Sequence, residues 1–326
     1  PRPSFACTAR MKIPGVAHRS DLAGLGISDA DRRRLLRRGR MSRTGTWYVT
    51  DEAPADLVRL LARGVRPTCV SAAQHHGLWV PLHEGDHVYR PRGLAAVETR
   101  RDAVVTGGGA AMTGGDAVVT GGGAAMTGAV AAAIGGDALV SGGVLVMHGS
   151  AMRSWPDRAP IADLPLALEH AMRCLSVRDA AILLESALNR RKISRNEVER
   201  LLASLPAARR AQLSRVTPLS ESGTETAVRW WLESLHVPVT PQVRIPGVGR
   251  VDLKLGTSWI IECDSTTYHD NPEQYHRDRA RDLRLQARRY MVTRLTWEQV
   301  FLDWEETEAQ LLTILRRRDH RRPLAG

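Results

Sequence analysis

Residues 259–264, Trp-Ile-Ile-Glu-Cys-Asp, place three large apolar side chains directly before two carboxylates. The apolar run reads as a buried strand, and on a strand residues 262 and 264 point to one face. Residues 250–255, Arg-Val-Asp-Leu-Lys-Leu, read as a second strand, separated from the first by Gly256, Thr257 and Ser258. A three-residue hairpin loop pairs 255 with 259 and, counting back, Asp252 with Glu262; a slip of one residue would undo that pairing. Asp264 then lies further along the same face. Like charges directly opposite one another destabilise a sheet, and burying them unpaired costs several kcal/mol. Something cationic is therefore expected between them. A divalent ion that takes oxygen ligands, Mg²⁺ or Mn²⁺, is the simplest candidate. Such an ion lowers the pKa of a bound water and shields a phosphodiester.

The surroundings read as α/β. Residues 220–237 form an amphipathic helix in which Glu225, three after Ser222, fits a capping box. Residues 271–290 read as a long basic helix, with Asn271 as N-cap and Pro272 in its first turn. Met291 to Thr296 is a final strand, and the chain closes with helix from Trp297. On the basic helix, Asp278 and Asp282 suit i,i+4 ion pairs with the arginines around them, while Arg277 and Arg281 suit phosphate contacts equally well.

Asp252, then Glu262 and Asp264 after a hairpin, resembles the PD-(D/E)xK restriction-endonuclease-like superfamily. The stretches PQVRIPGVGRVDLKL, WIIECDSTTYH and RDRARDLRLQARRYMVTRLT more closely resemble a family similar to very-short-patch-repair endonucleases, over roughly residues 217–302. The resemblance implies a metal-dependent nuclease with a mixed sheet. Asp252 would be the central metal ligand, Glu262 and Asp264 the second acidic cluster, and Glu225 the acid on the first helix. His269 would accept a proton from water. The family's lysine two residues after the second acid is absent, because Asp264 stands there; Lys254 or His269 would substitute. Ser265 also replaces an expected glycine. Asp264 as a turn-closing residue and His269 as a surface histidine are the plain alternatives.

The first fifty residues hold eleven Lys or Arg against three Asp. Ser20–Leu25 reads as a short helix. Ser28 then caps a second one, with Asp31 at the capping-box position. That helix is expected to bury Leu35, Leu36 and Ala30, surrounded by Arg32, Arg33, Arg34, Arg37, Arg38 and Arg40. A hairpin turning at Gly45 follows and carries Arg43. This is the order of a winged helix-turn-helix with its basic helix in the DNA major groove, although a solvated arginine-rich helix reads the same way. Residues 15–100 resemble, more loosely, the winged-helix domain of abortive-infection-type antitoxins, which are DNA-binding regulators.

Between these ends, DAVVTGGGAAMTG occurs at 102–114 and again at 116–128, with a weaker echo at 137–143. Glycine-rich units broken by valine pairs bury little surface, and they read as an insertion rather than a phosphate loop. The expected organisation is a winged helix (1–55), a small α/β extension (56–100), the insertion (101–149), a helical connector (150–216), the restriction-endonuclease-like part (217–315) and a basic tail (316–326). The fold class is α/β in the broad sense, an α+β multi-domain chain. The net charge of +11 favours a polyanion as partner. The four cysteines, Cys7, Cys69, Cys174 and Cys263, show no CxxC spacing, so neither a disulfide framework nor a zinc knuckle is expected. Adjacent His75 and His76 read as packing or surface residues. No apolar run spans a membrane and no signal-peptide core is visible, so a cytoplasmic protein is expected. Two functions fit: a Mg²⁺- or Mn²⁺-dependent DNA endonuclease, or a non-catalytic antitoxin-like regulator on a degenerate nuclease fold. DNA is the partner in both, a homodimer is open to either, and a cognate toxin is a further partner of the second.

Overall fold

The computed structural model of the chain describes residues 13–90, 104–107, 144–148, 159–264 and 272–324. The N-terminal elements are β1 (Val16–His18), α1 (Asp29–Arg37), β2 (Ser42–Thr44), β3 (Trp47–Val49), α2 (Ala55–Ala62), β4 (Arg66–Pro67), α3 (Cys69–His75), β5 (Asp86–Tyr89), β6 (Val104–Gly107), β7 (Leu145–His148) and α4 (Leu164–Cys174). Then come α5 (Val177–Asn189), α6 (Arg195–Ala203), α7 (Ala207–Gln212), α8 (Gly223–Ser234), β8 (Val239–Ile245), β9 (Gly249–Leu255), β10 (Trp259–Cys263), α9 (Pro272–Ala287), β11 (Met291–Leu295), α10 (Trp297–Phe301) and α11 (Trp304–Arg316). A 3₁₀ turn at Asp319–Arg321 follows. The content is mixed α and β, with three small sheets among the described residues. No described helix is long and apolar enough to cross a membrane. Two compact units result: one draws its described residues from 1–77 and 83–174, the other from 78–82 and 175–326.

In the first unit, Ser28 Oγ accepts from the Asp31 amide and starts α1. Leu35 and Leu36 lie half-buried against Ala17, Leu22, Met41 and Tyr48, whereas Ala30, expected inside, is exposed. The helix expected at Ser20–Leu25 is only a set of hydrogen-bonded turns, in which the Leu25 amide reaches the Asp21 and Leu22 carbonyls. Six residues with Gly24 inside and Gly26 behind them cannot offset the cost of helix nucleation. The hairpin of β2 and β3 pairs Thr44 with Trp47 around Gly45, whose φ of +61° suits the first position of a two-residue loop. In the sheet β1-β3-β2, Trp47 and Val49 face Leu57 and Leu61 of α2, while Tyr48 faces α1, as strand alternation requires.

The second sheet has the order β4-β5-β7-β6, with β5, β7 and β6 parallel. Val88 and Leu145 turn to one face, onto Leu60 and Val65. The register Tyr89↔His148 and His87↔Val146 puts His87 and His148 together on the opposite face. That face meets α3, which packs on α4. β6 falls within the first copy of the glycine-rich repeat; the second copy lies outside the described residues.

The second unit is a sheet of order β8-β9-β10-β11 with helices on both faces. Leu253, Leu255, Trp259 and Ile261 face α5, α8, α10 and α11, and Ile260 packs with Leu285 of α9 on the other side. β9 and β10 pair Leu255 with Trp259 and Leu253 with Ile261, the register that the loop length implies. The loop is pinned from outside: the Thr257 amide donates to the His320 carbonyl at 2.8 Å. Gly256, at φ +51°, lies so close that a Cβ there would stand 2.5 Å from that oxygen. Residues 319–321 of the expected basic tail are thus a docked turn. α9 carries the crossover that makes β10 and β11 parallel. The closing helix is broken into α10 and α11 at Leu302 and Asp303.

One buried polar network ties α5 to α8. Glu185 accepts from Thr226 Oγ1, Trp230 Nε1 and the Thr217 amide, and pairs with Arg229. The Glu185 and Arg229 side chains are 0% and 3% exposed. At the start of α8, Gly223 faces the Trp79 ring at a distance that leaves no room for a Cβ.

Candidate functional site

Two clusters of chemistry-bearing side chains emerge, one in each unit. In the second unit Glu262 sits near the end of β10, with Arg294 of β11 as its register partner. Continuing the β9–β10 register brings Asp252 to its other side. Asp252 Oδ2 accepts from the Cys263 amide at 2.9 Å. Glu225 enters from the first turn of α8, where its amide caps on Ser222 Oγ. Its carboxylate does not close a capping box: Oε2 instead accepts from the Glu221 amide at 3.1 Å and from Gln242 Nε2 at 2.7 Å. Gln242 Nε2 also reaches Asp252 Oδ1 at 3.4 Å. Gln242 sits across the β8–β9 pair from Asp252, in a left-handed conformation at φ +55° that places its amide between the two acids. Its Oε1 is buried without a hydrogen-bond partner.

The electrostatics follow from burial and crowding. Burial first, and the Asp252 charge second, push the Glu225 carboxyl up to about 7. The same two causes push Glu262 up to about 8, against the pull of Arg281 and Arg294. Three acids therefore share a site in which two retain protons near neutrality.

The acids brought together are Glu225, Asp252 and Glu262, not the expected trio of Asp252, Glu262 and Asp264. Asp264 is 45% exposed and paired with Arg294 at 2.8 Å, and Arg294 also holds Asp282 at 2.8 Å. Arg281, expected on phosphate, donates to Glu262 Oε1 at 2.8 Å and to the Arg250 carbonyl. Part of the cation expected between the strands is thus supplied by guanidinium groups. Lys254 does not substitute for the missing lysine, because its Nζ bonds the Gly256 carbonyl of its own hairpin loop at 3.1 Å. His269, Asn271 and the side chains of Arg277 and Asp278 lie outside the described residues. Sequence reasoning missed Gln242, whose role rests on a backbone twist inside a strand, and Arg294, the one charged residue of β11.

On the first unit, Arg33, Arg34, Arg37, Arg38 and Arg40 are exposed along and after α1. Arg32 pairs with Asp29 at 2.8 Å and Arg34 with Asp31 at 2.6 Å. Arg43 Nε donates to the Gly45 carbonyl at 3.0 Å. Expected as packing or surface residues, His75 pairs with Asp56 and His76 bonds the Ala162 carbonyl.

The second cluster includes two of the cysteines whose spacing gave no sign of a zinc knuckle. Cys69, His87, His148 and Cys174 bring their ligand atoms within 4.8 Å of one another, and the group could hold a metal ion. Cys69 opens α3, His87 lies on β5, His148 ends β7 and Cys174 ends α4. His87 Nδ1 stands 3.2 Å from His148 Nε2 and 3.7 Å from Cys174 Sγ. The Cys69 thiol, then His148 and His87, hydrogen-bond Cys174 and hold its pKa far below the thiol range despite burial. Burial pushes Cys69 the other way. Behind them His170 stacks on His148 at 5.2 Å and bonds Thr68 Oγ1 at 2.7 Å. Burial, more than the charges of His148 and Arg173, lowers His170 to about 4 and keeps it neutral. No protein-family model matches the sequence, and no curated protein matches it.

Proposed function

We propose that the C-terminal unit hydrolyses phosphodiester bonds in DNA with a divalent ion, and that the N-terminal unit holds the duplex. The neighbourhood of three acids, with Gln242 bridging Glu225 to Asp252 and Asp252 beside Glu262, carries this reading. These donors are hard oxygens, which suit Mg²⁺ or Mn²⁺, and the unsatisfied Gln242 Oε1 is a further oxygen of the right kind. Bound there, the ion would polarise a phosphoryl oxygen and acidify a coordinated water. Glu225, Asp252 and Glu262 would hold it, and Gln242 would orient the first two. Arg281 and Arg294, already beside the acids, would meet the phosphate charge.

The finer fold belongs to the same proposal. The order α8, β9, β10, α9, β11 is read as a restriction-endonuclease-like core, close to the very-short-patch-repair-like family. β1, α1 and the β2–β3 hairpin are read as a winged helix, with α1 in the major groove and the hairpin along the backbone. The exposed arginines would neutralise phosphates. The ion pairs of Arg32 and Arg34 with Asp29 and Asp31 are surface pairs that yield easily to DNA.

One observation favours a second reading. Arg281 on Glu262 and Arg294 on Asp264 neutralise acids that a working site would offer to metal, and Lys254 is turned away. A non-catalytic, antitoxin-like regulator on a degenerate nuclease fold fits that arrangement. Nicking of supercoiled plasmid separates the two. The nuclease reading expects cleavage only with Mg²⁺ or Mn²⁺, reduced by about 100-fold or more in Asp252→Ala with unchanged circular dichroism. Cleavage that persists in chelator or in the variant defeats it. A metal-independent footprint on one DNA sequence, without cleavage, establishes the regulator.

A further inference from the structure

We propose that Cys69, His87, His148 and Cys174 form a closed, four-coordinate Zn²⁺ site that fastens the small N-terminal sheet to the two helices packed on it. The donor set decides the ion. Two sulfurs and two imidazole nitrogens are borderline-soft ligands, which select Zn²⁺ over Mg²⁺ or Ca²⁺ and match the Cys₂His₂ composition of structural zinc sites. Distances agree. With Zn–N of about 2.0–2.1 Å and Zn–S of about 2.3 Å, the edges of a tetrahedron run from about 3.3 to 3.8 Å. The two separations at His87 Nδ1, 3.2 Å to nitrogen and 3.7 Å to sulfur, already fall near that range. No pair of ligand atoms is further apart than 4.8 Å.

The architecture explains why these four meet. His87 and His148 project from one face of the β5–β7 pair, and the thiols come from facing ends of the helix layer, the first residue of α3 and the last of α4. Supporting bonds aim them. The His87 amide donates to Ser71 Oγ at 2.9 Å and its carbonyl accepts from the Thr68 amide at 2.9 Å, so both ends of its peptide are tied to the α3 entry. Cys69 itself holds φ +50°, a conformation that costs a non-glycine residue energy and that recurs at functional positions. Cys69, His87 and His148 are all more than nine-tenths buried. With all four positions filled by protein, no place is left for substrate, so the site is structural.

His148 Nε2 and Cys174 Sγ both crowd His87 Nδ1, which can offer at most one proton. A cation takes the lone pairs of both rings and displaces the Cys69 proton. The need for a staple is plain as well. Among the described residues the apolar side of this sheet is covered by Leu60, Val65, Val88 and Leu145, with Met147 beside them, a small core of the kind that a structural metal reinforces. His87 and His148 also stand on either side of the glycine-rich repeat in sequence. One ion thus fixes both flanks whatever the repeat between them does.

The test uses the full chain, expressed with added zinc and purified without chelator. Elemental analysis is expected to find one zinc per chain in the wild type and equally in Asp252→Asn and Cys263→Ser, which keep the four ligands. The double variant Cys69→Ser/Cys174→Ser and the single variant His148→Ala should lose at least tenfold. Because those variants risk misfolding, the wild type is also stripped and titrated with Co²⁺, which should give thiolate charge-transfer bands and tetrahedral d–d bands at one equivalent. Wild type that carries no zinc and gives no tetrahedral cobalt spectrum overturns the site. So does mass spectrometry finding Cys69 and Cys174 joined as a disulfide in protein purified under reducing-compartment conditions.

Discussion

The two clusters gather similar numbers of ionisable groups by different routes. In the C-terminal unit Asp252 and Glu262 belong to one hairpin, Gln242 to the strand before it and Glu225 to the preceding helix. In the N-terminal unit each of the four ligands comes from a different element, and the glycine-rich repeat intervenes between two of them. The donors differ as well, hard carboxylates in one and thiols with imidazoles in the other. A site of buried acids that repel one another is strained, and an ion that binds there relieves the repulsion. A closed set of thiols and imidazoles is built for an ion that stays. The first arrangement therefore suits chemistry, and the second suits folding.

That difference predicts stability changes of opposite sign, and the largest effect falls on the closed site. Cys69→Ser/Cys174→Ser should cost about 5 kcal/mol or more, because a structural metal contributes its binding energy to folding. Thermal unfolding of the zinc-loaded wild type against the variant, at equal ionic strength, measures it. In the same assay without divalent ions, Asp252→Asn should be neutral or stabilising, since it relieves repulsion with Glu225 and Glu262. If both variants destabilise alike, the distinction between a folding site and a chemical site collapses.

Glu185 gives an internal reference, a buried acid fully compensated by its own chain. It is enclosed by Arg229, Thr226, Trp230 and the Thr217 amide. Glu185→Ala should cost about 3–5 kcal/mol by leaving buried Arg229 with Glu233 as its remaining carboxylate and the Trp230 and Thr226 donors without their acceptor, as read from urea unfolding at pH 7. Added Mg²⁺ should change that loss very little, whereas it should raise the stability of the acid cluster. A Mg²⁺-sensitive loss at Glu185 would mean that the two kinds of buried acid are not distinct.

The same contrast governs what the sequence discloses. The hairpin of β9 and β10 is legible because its loop length sets the register, and the register alone brings Asp252 beside Glu262. The caps at Ser28 and Ser222, the turn at Gly45 and the connector helices are local patterns as well. Asp264 misleads because alternation assigns it a face but cannot reveal Arg294 waiting on a strand that arrives only after α9. Gln242 is invisible because its left-handed backbone breaks the strand pattern at one residue. The Cys/His cluster has no local signature at all. His87 and His148 meet only through parallel pairing of β5 with β7, and nothing in the spacing of residues 69, 87, 148 and 174 announces that pairing.

The smallest effect is also the most specific to the acid site. Glu225 and Glu262 have folded pKa values of about 7 and about 8, above the ordinary carboxyl value of 4.5 that they regain on unfolding. Between 4.5 and 8 the folded state binds the extra protons, so folding is favoured at the acid end of that window. This stability is lost as pH rises through 7 and then 8. With divalent ions removed, the unfolding free energy should decline steadily between pH 5.5 and 8.5. Asp252→Asn should flatten that decline, because the Asp252 charge is the second cause of both shifts after burial. A divalent ion should reverse it, since binding draws the protons off and replaces them with a charge the carboxylates prefer. The comparison is made by denaturant titration at each pH, wild type against variant, with and without Mg²⁺. A decline of equal slope in both proteins would place its origin elsewhere in the chain and remove the electrostatic case for a shared site at Glu225, Asp252 and Glu262.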